Sequence, residues 1–174
     1  MTTQHRSLDD LLLYRLSRVV GVAGGMVIRL CEGRFGITRR EWRLIVVLAR
    51  RGELGSSQLA EHAQLDRART SKAVGSLVEK QLVSRVARVG DRRQVLLDLT
   101  EAGHALYAEL FPLVTRINAE LISALSGEDA ARLDQILHLL QAQAERMVAV
   151  AVLPKADRGR RGAGGIRPPS SRSP

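Results

Sequence analysis

The chain has 174 residues, 45% apolar and 26% charged, enough for one packed domain with extensions. No apolar run approaches the roughly 18 residues that span a bilayer, and the amino terminus shows no basic stretch leading into an apolar one, so neither a membrane span nor a secretory leader is expected. The net charge of +9 favours a polyanionic partner, but Lys155, Arg158, Arg160, Arg161, Arg167 and Arg172 stand against only Asp157 after Val150, and that segment's net +5 leaves a modest +4 elsewhere.

In chain order, Ser7-Leu8-Asp9-Asp10 reads as a capping box. Leu8, Leu11, Leu12, Leu16, Val19 and Val20 follow at helical spacing, predicting a first helix to about Cys31. Gly21, Gly24 and Gly25 inside it each cost about 1 kcal/mol relative to alanine. They mark either a kinked or frayed stretch or a close approach by another helix or a ligand. Thr38-Arg39-Arg40-Glu41 is a second capping box, opening a helix through Trp42, Ile45, Val46 and Ala49 that stops at Gly52. Gly55-Ser56-Ser57 caps a short helix carrying Leu59 and Ala60, and Asp66 caps a longer one ending near Gln81.

The period then changes. Leu82 to Arg88 largely alternates apolar and polar residues, Val89-Gly90-Asp91-Arg92-Arg93 is a polar turn, and Gln94 to Leu99 returns as a partner strand. A hairpin directly after a helix-turn-helix makes a winged helix. Thr100 starts a long helix with Leu106, Leu110, Leu113, Ile117 and Leu121, and Ser126-Gly127-Glu128-Asp129 caps a last one with Leu133, Ile136, Leu137 and Leu140. Past Leu153 the residues are those of a disordered segment. The expected fold is mainly α with a two-stranded β wing. A winged helix-turn-helix at 38–100 is flanked by an N-terminal dimerisation helix at 1–37 and C-terminal dimerisation helices at 101–150, with a basic disordered tail at 151–174. The outer helices carry more apolar residues than one small winged domain covers, and such a stripe usually marks an interface.

Asp91-Arg92-Arg93, then Val95 and Leu97, then Leu99-Thr100-Glu101-Ala102-Gly103, follow Leu59-Ala60 and a helix ending in Glu79-Lys80-Gln81-Leu82-Val83. In this order, over roughly Leu8 to Val148, the chain resembles the MarR (multiple antibiotic resistance) family of bacterial regulators. Two positions depart from the family's habit: Gln81 stands where glycine commonly ends the recognition helix in a left-handed conformation, and Lys72 where arginine is frequent. A non-glycine residue pays about 1 kcal/mol in that conformation. Lysine neutralises a phosphate but lacks arginine's bidentate fork.

Around the helix after Asp66, Thr70, Ala73, Val74 and Leu77 cluster on one side and are expected in the core. The opposite side carries Ala68, Arg69, Ser71, Lys72, Gly75 and Ser76, small and cationic enough to enter a major groove. Arg69, Ser71, Lys72 and Ser76, with Arg67 at the helix start, are candidates for base or phosphate contact, where the alternative is a plain solvated face. Ser56, Ser57 and Gln58 at a helix N-terminus suit phosphates. The resemblance implies that Arg93 enters a minor groove braced by Asp91, which alternatively serves only the hairpin turn; Arg88 and Arg92 are expected on phosphates.

The resemblance further implies a two-fold dimer on a pseudo-palindromic duplex and release from DNA by a small aromatic or heterocyclic carboxylic acid, such as a nicotinate-type compound, bound between the dimerisation helices and the DNA-binding lobe. Arg15, Arg18, Trp42, His104 and Tyr107 are candidates for that effector site; Trp42 is equally a core residue and the arginines equally solvated or interfacial. Other function classes have less support. No phosphate loop, nucleophile elbow or local carboxylate or zinc constellation points to an enzyme, and His5, His62, His104 and His138 lack ligand spacing, so no metal or cofactor is expected. Aromatic residues at 3% argue against single-strand stacking. Cys31 cannot close an internal disulfide, which fits a reducing cytoplasm, and it has no evident activating partner for a thiol sensor. An architectural or redox-responsive DNA-binding protein of the same fold is the alternative.

Overall fold

The computed structural model describes residues 7–88 and 91–152, with the backbone alone at 87–88 and 91–94. After a single 3-10 turn at Leu8–Asp10 come α1 (Leu12–Arg34), α2 (Arg39–Arg51), β1 (Leu54–Gly55), α3 (Ser56–His62) and α4 (Arg67–Glu79). The hairpin β2 (Val83–Arg88) and β3 (Asp91–Leu99) follows, then α5 (Glu101–Ile122) and α6 (Gly127–Val150). The chain divides into two compact units after Ala124, the second containing α6.

The first helix differs from expectation at both ends. The Ser7 box closes only the 3-10 turn, with the Ser7 backbone N–H donating to Asp10 Oδ2 at 2.9 Å. Leu11 is extended (ψ 124°), so α1 starts at Leu12, and Asp9 ties the turn to Arg18 at 3.2 Å. The helix then runs unbroken through its three glycines to Arg34, whose guanidinium meets Glu109 of α5 at 2.6 Å. A Cβ on Gly24 would stand 3.1 Å from the Arg39 guanidinium, a close approach, whereas Gly21 and Gly25 face open space.

The capping box of α2 forms as expected: Thr38 Oγ1 accepts from the Glu41 N–H at 3.2 Å and the Glu41 carboxylate accepts from the Thr38 N–H at 2.6 Å. Gly52 ends α2 at φ +74°, a left-handed value that favours glycine. Leu54 and Gly55 add a third strand to the sheet, giving the antiparallel order β1-β3-β2 with Leu54 opposite Leu97. Two residues are too few to show alternation, so the sequence displays a two-stranded wing where the structure has a three-stranded sheet. Between β2 and β3 the pairing runs from Val83 opposite Leu99 to Arg88 opposite Asp91, with an irregularity between Ala87 and Arg88.

These elements enclose one core around Ile37, Leu44, Ile45, Leu48, Leu59, Leu77 and Leu110. Cys31 is its only buried contribution from α1. The remaining apolar side chains of α1 are largely exposed, among them Leu13, Val19, Val20 and Val22. α6 has no buried residue, and Ile136, Leu137, Leu139, Leu140, Met147 and Val148 are exposed along it. No described helix is long and apolar enough to cross a membrane.

Candidate nucleic-acid interface

Asp66 starts α4. Its Oδ1 accepts from the Arg69 N–H at 2.8 Å, its Oδ2 lies 3.1 Å from Arg69 Nε, and its carbonyl accepts from the Thr70 hydroxyl at 3.0 Å. Arg43 on α2 donates to the Ala63 carbonyl at 3.2 Å, bracing the turn before it. The buried residues of α4 are Thr70, Ala73, Val74 and Leu77, the four that its periodicity places inward. Outward, Arg67, Ala68, Arg69, Ser71 and Lys72 are exposed, and Gly75 and Ser76 half-buried. A Cβ on Gly75 would meet nothing within 4 Å, so glycine there answers no need inside the chain.

Ser56, Ser57 and Gln58 are exposed at the start of α3, with Gln58 Oε1 accepting from the Gly55 N–H at 3.1 Å. Ser56 and Ser71 share a recess of about 250 Å³ with Val74, Arg85, Val95 and Leu97. Arg85 escaped the sequence reading. The signal was its place two residues after Val83: the same face of β2 passes from core to solvent between them, beside α4. The side chains of Arg88, Asp91, Arg92 and Arg93, and the whole of Val89 and Gly90, lie outside the described residues, as does the tail beyond Val152.

The carboxyl end of α4 is held from two sides. Lys80 Nζ stands 2.9 and 3.0 Å from the two oxygens of Glu41, a carboxylate that is 2% exposed. Gln81 adopts φ +58°, the left-handed conformation its position demands, and its carbonyl accepts from the Thr100 hydroxyl at 2.7 Å. Burial pushes the Glu41 carboxyl up, but hydrogen bonds from Ser76, the Thr38 backbone, Lys80 and the Thr38 hydroxyl outweigh it and hold the group below the ordinary carboxylate range. Ser76 is thus turned partly toward α2.

The effector candidates do not converge. Arg15 and Arg18 line a recess of about 450 Å³ with Val19, Val22, Ala23 and Leu121. Trp42 is buried and stacks on Tyr107 at 5.8 Å, and Tyr107 in turn meets Phe111 at 5.1 Å, which is core packing; His104 is exposed on α5. A second recess of about 190 Å³ lies among α1, α5 and the first turn of α2, walled by Val20, Val27, Val114 and Ile117, with Arg39 and Asn118 as its polar residues. Arg39 went unnoticed because in sequence it only fills a capping box. Cys31 is fully buried, and burial together with Glu32 raises its pKa, keeping it a thiol. Among the described residues no three His, Cys, Asp or Glu side chains converge as metal ligands.

A helix-turn-helix whose second helix shows a small cationic face beside an antiparallel hairpin defines a winged helix-turn-helix protein. Residues 35–94 match the MarR family. It is 36% identical over 74 residues to the HTH-type transcriptional regulator FarR of Neisseria gonorrhoeae, an alignment covering 42% of this chain and 51%, about half, of that protein. The MarR family transcriptional regulator SPO1453 from Silicibacter pomeroyi DSS-3 shares the fold with a TM-score of 0.69 and 26% identity, over 80% of this chain and 99% of that one. NadR in complex with 4-hydroxyphenylacetate does so with a TM-score of 0.64 and 27% identity, over 80% and 97%.

Proposed function

We propose that the protein is a homodimeric, sequence-specific double-stranded DNA-binding transcriptional regulator, a repressor acting in the cytoplasm and released from a pseudo-palindromic operator by a small aromatic or heterocyclic carboxylic acid. The observation that carries the DNA reading is the outer face of α4: Arg67, Arg69, Ser71 and Lys72 are exposed beside Ser56 and Arg85, with small Ala68 and Gly75 letting the backbone approach base edges. Arg69, Ser71 and Lys72 reach bases or adjacent phosphates, Ser56, Ser57 and Gln58 phosphates, and Arg93 the minor groove with Asp91, Arg88 and Arg92 around it. A mobility-shift titration with DNA upstream of its own gene, against nonspecific competitor, tests this. Specific retention is expected, and Arg93→Ala is expected to weaken it and lower the log–log salt slope by about 1. Retention no better than that of the competitor, or an unchanged slope in the variant, contradicts the respective assignment.

The effector reading rests on the Arg39 recess: a guanidinium pairs with a carboxylate while the valine and isoleucine walls take an aromatic ring. The bound 4-hydroxyphenylacetate of NadR supports an acid of this class. A ligand releases DNA only through differential affinity for two states of the protein, so an acid that binds without changing operator affinity is not the effector. The buried Cys31 thiol speaks against a peroxide-sensing version of this regulator.

A further inference from the structure

We infer that Glu41 is a positioning residue for sequence reading, setting the direction of α4 by holding Lys80 at its carboxyl end; this rests on the DNA-reading function proposed above. Glu41 is the buried acid among the described residues and sits in the first turn of α2, while Lys80 caps α4. Nζ of Lys80 is within 3.0 Å of both carboxylate oxygens, so the pair fixes direction as well as distance. On the other side of the same helix end, the Thr100 hydroxyl binds the Gln81 carbonyl at 2.7 Å and its N–H binds that of Leu82 at 3.1 Å. Glu41 is therefore one of two clamps on one pivot.

Helix capping alone does not require a charge at position 41. Glutamine serves equally at the last position of a capping box, accepting from the Thr38 N–H. The charge answers Lys80. Glu41 is buried while the Lys80 side chain is 34% exposed, so the pair is half-buried. Such a pair adds little stability for the desolvation of its carboxylate, and fixing one arrangement among several is the better-attested use of a buried charge. The lever arm is long: Arg69 lies eleven residues from Lys80, about 16 Å along the axis. A tilt of about 4° at the pivot then displaces Arg69 by about 1 Å, twice the roughly 0.5 Å that a site of defined geometry tolerates. Contacts to phosphates, made by long side chains across an open field, follow such a tilt; contacts to base edges do not.

The experiment compares wild type, Glu41→Gln and Lys80→Gln on two DNAs: a duplex enriched by the wild-type protein from a random-sequence pool, and poly(dI-dC). Glu41→Gln keeps the cap and removes the ionic hold; Lys80→Gln breaks the same pair from its more exposed end, so one variant serves if the other fails to fold. Each is expected to bind the enriched duplex about 5-fold to 10-fold more weakly while Glu41→Gln keeps its poly(dI-dC) affinity within about twofold, so that the ratio of the two falls. A merely structural role lowers both affinities in proportion through the folded fraction. Equal changes on the two DNAs, no change, or tighter binding to both by Glu41→Gln overturns the assignment. If the wild type enriches no duplex, the DNA-reading function fails and this inference with it; enrichment with an unaltered ratio in both variants overturns the inference alone.

Discussion

A methyl group at position 103 has nowhere to go. It would overlap the carbonyl oxygen of Leu82 and press on Leu99, both of them parts of the wing's base. Gly103→Ala is expected to destabilise the fold by about 2–3 kcal/mol through overpacking, read by chemical denaturation; a change under about 0.5 kcal/mol contradicts the close approach. The Glu41 carboxyl makes a second residue-scale claim. Its folded pKa lies below the unfolded value, so the unfolded chain takes up the proton first. The stability it contributes is present above the ordinary glutamate range and is lost as pH falls through the lower, folded pKa. Glu41→Gln is accordingly expected to flatten the acid side of a Tm-against-pH profile, and an identical acid limb in both proteins contradicts it. The left-handed conformation at Gln81 was suggested only by the resemblance, where glycine is common at this position, and glutamine there put the turn in doubt; the structure keeps the conformation with glutamine in place. The pairing of Glu41 with Lys80 was not, because it joins residues 39 apart whose own neighbourhoods explain each of them locally.

Elements were legible where one repeat dominates. The 13 residues of α4 put the same four side chains inward in pattern and in structure, and Thr38 with Glu41 announces the start of α2. Thr38→Ala is expected to cost about 1 kcal/mol by freeing the Glu41 amide, measured by thermal melting, and a neutral effect contradicts the cap. The start of α1 was misread because the Ser7 box looks like a helix cap but closes a 3-10 turn, and β1 was missed because its pairing with β3 is long-range. The Arg39 recess lay beyond pattern for the same reason: α1, α2 and α5 build it jointly, and Arg39 faces Gly24 only once those helices pack. Arg39→Gln is expected to weaken binding of 4-hydroxyphenylacetate, as a probe acid, at least 10-fold by calorimetry while leaving operator binding intact; equal affinity in the two proteins removes Arg39 from the site.

At the scale of the molecule, α6 exposes Leu137, Leu139 and Leu140 with Met147 and Val148 beyond them, and α1 exposes Leu13, Val19 and Val22. Exposed apolar side chains recurring along a helix mark an interface, and a second copy of the chain is the proposed occupant for each of these two helices. Ile136→Asp with Leu140→Asp is expected to convert a dimer into a monomer by sedimentation, and a dimer unaffected by both charges contradicts the assignment of α6. Charge contributed less to the functional reading than the total of +9 promises, since much of it lies in the terminal segment. The outer face of α4 contributes more, and it is the central claim. Its most direct test is a fluorescence-anisotropy salt titration of the enriched duplex and poly(dI-dC) with wild type and Arg69→Ala/Lys72→Ala. Loss of at least 10-fold in affinity for the enriched duplex, exceeding the loss on poly(dI-dC), is the predicted result; equal affinities for wild type and variant on both DNAs would contradict it.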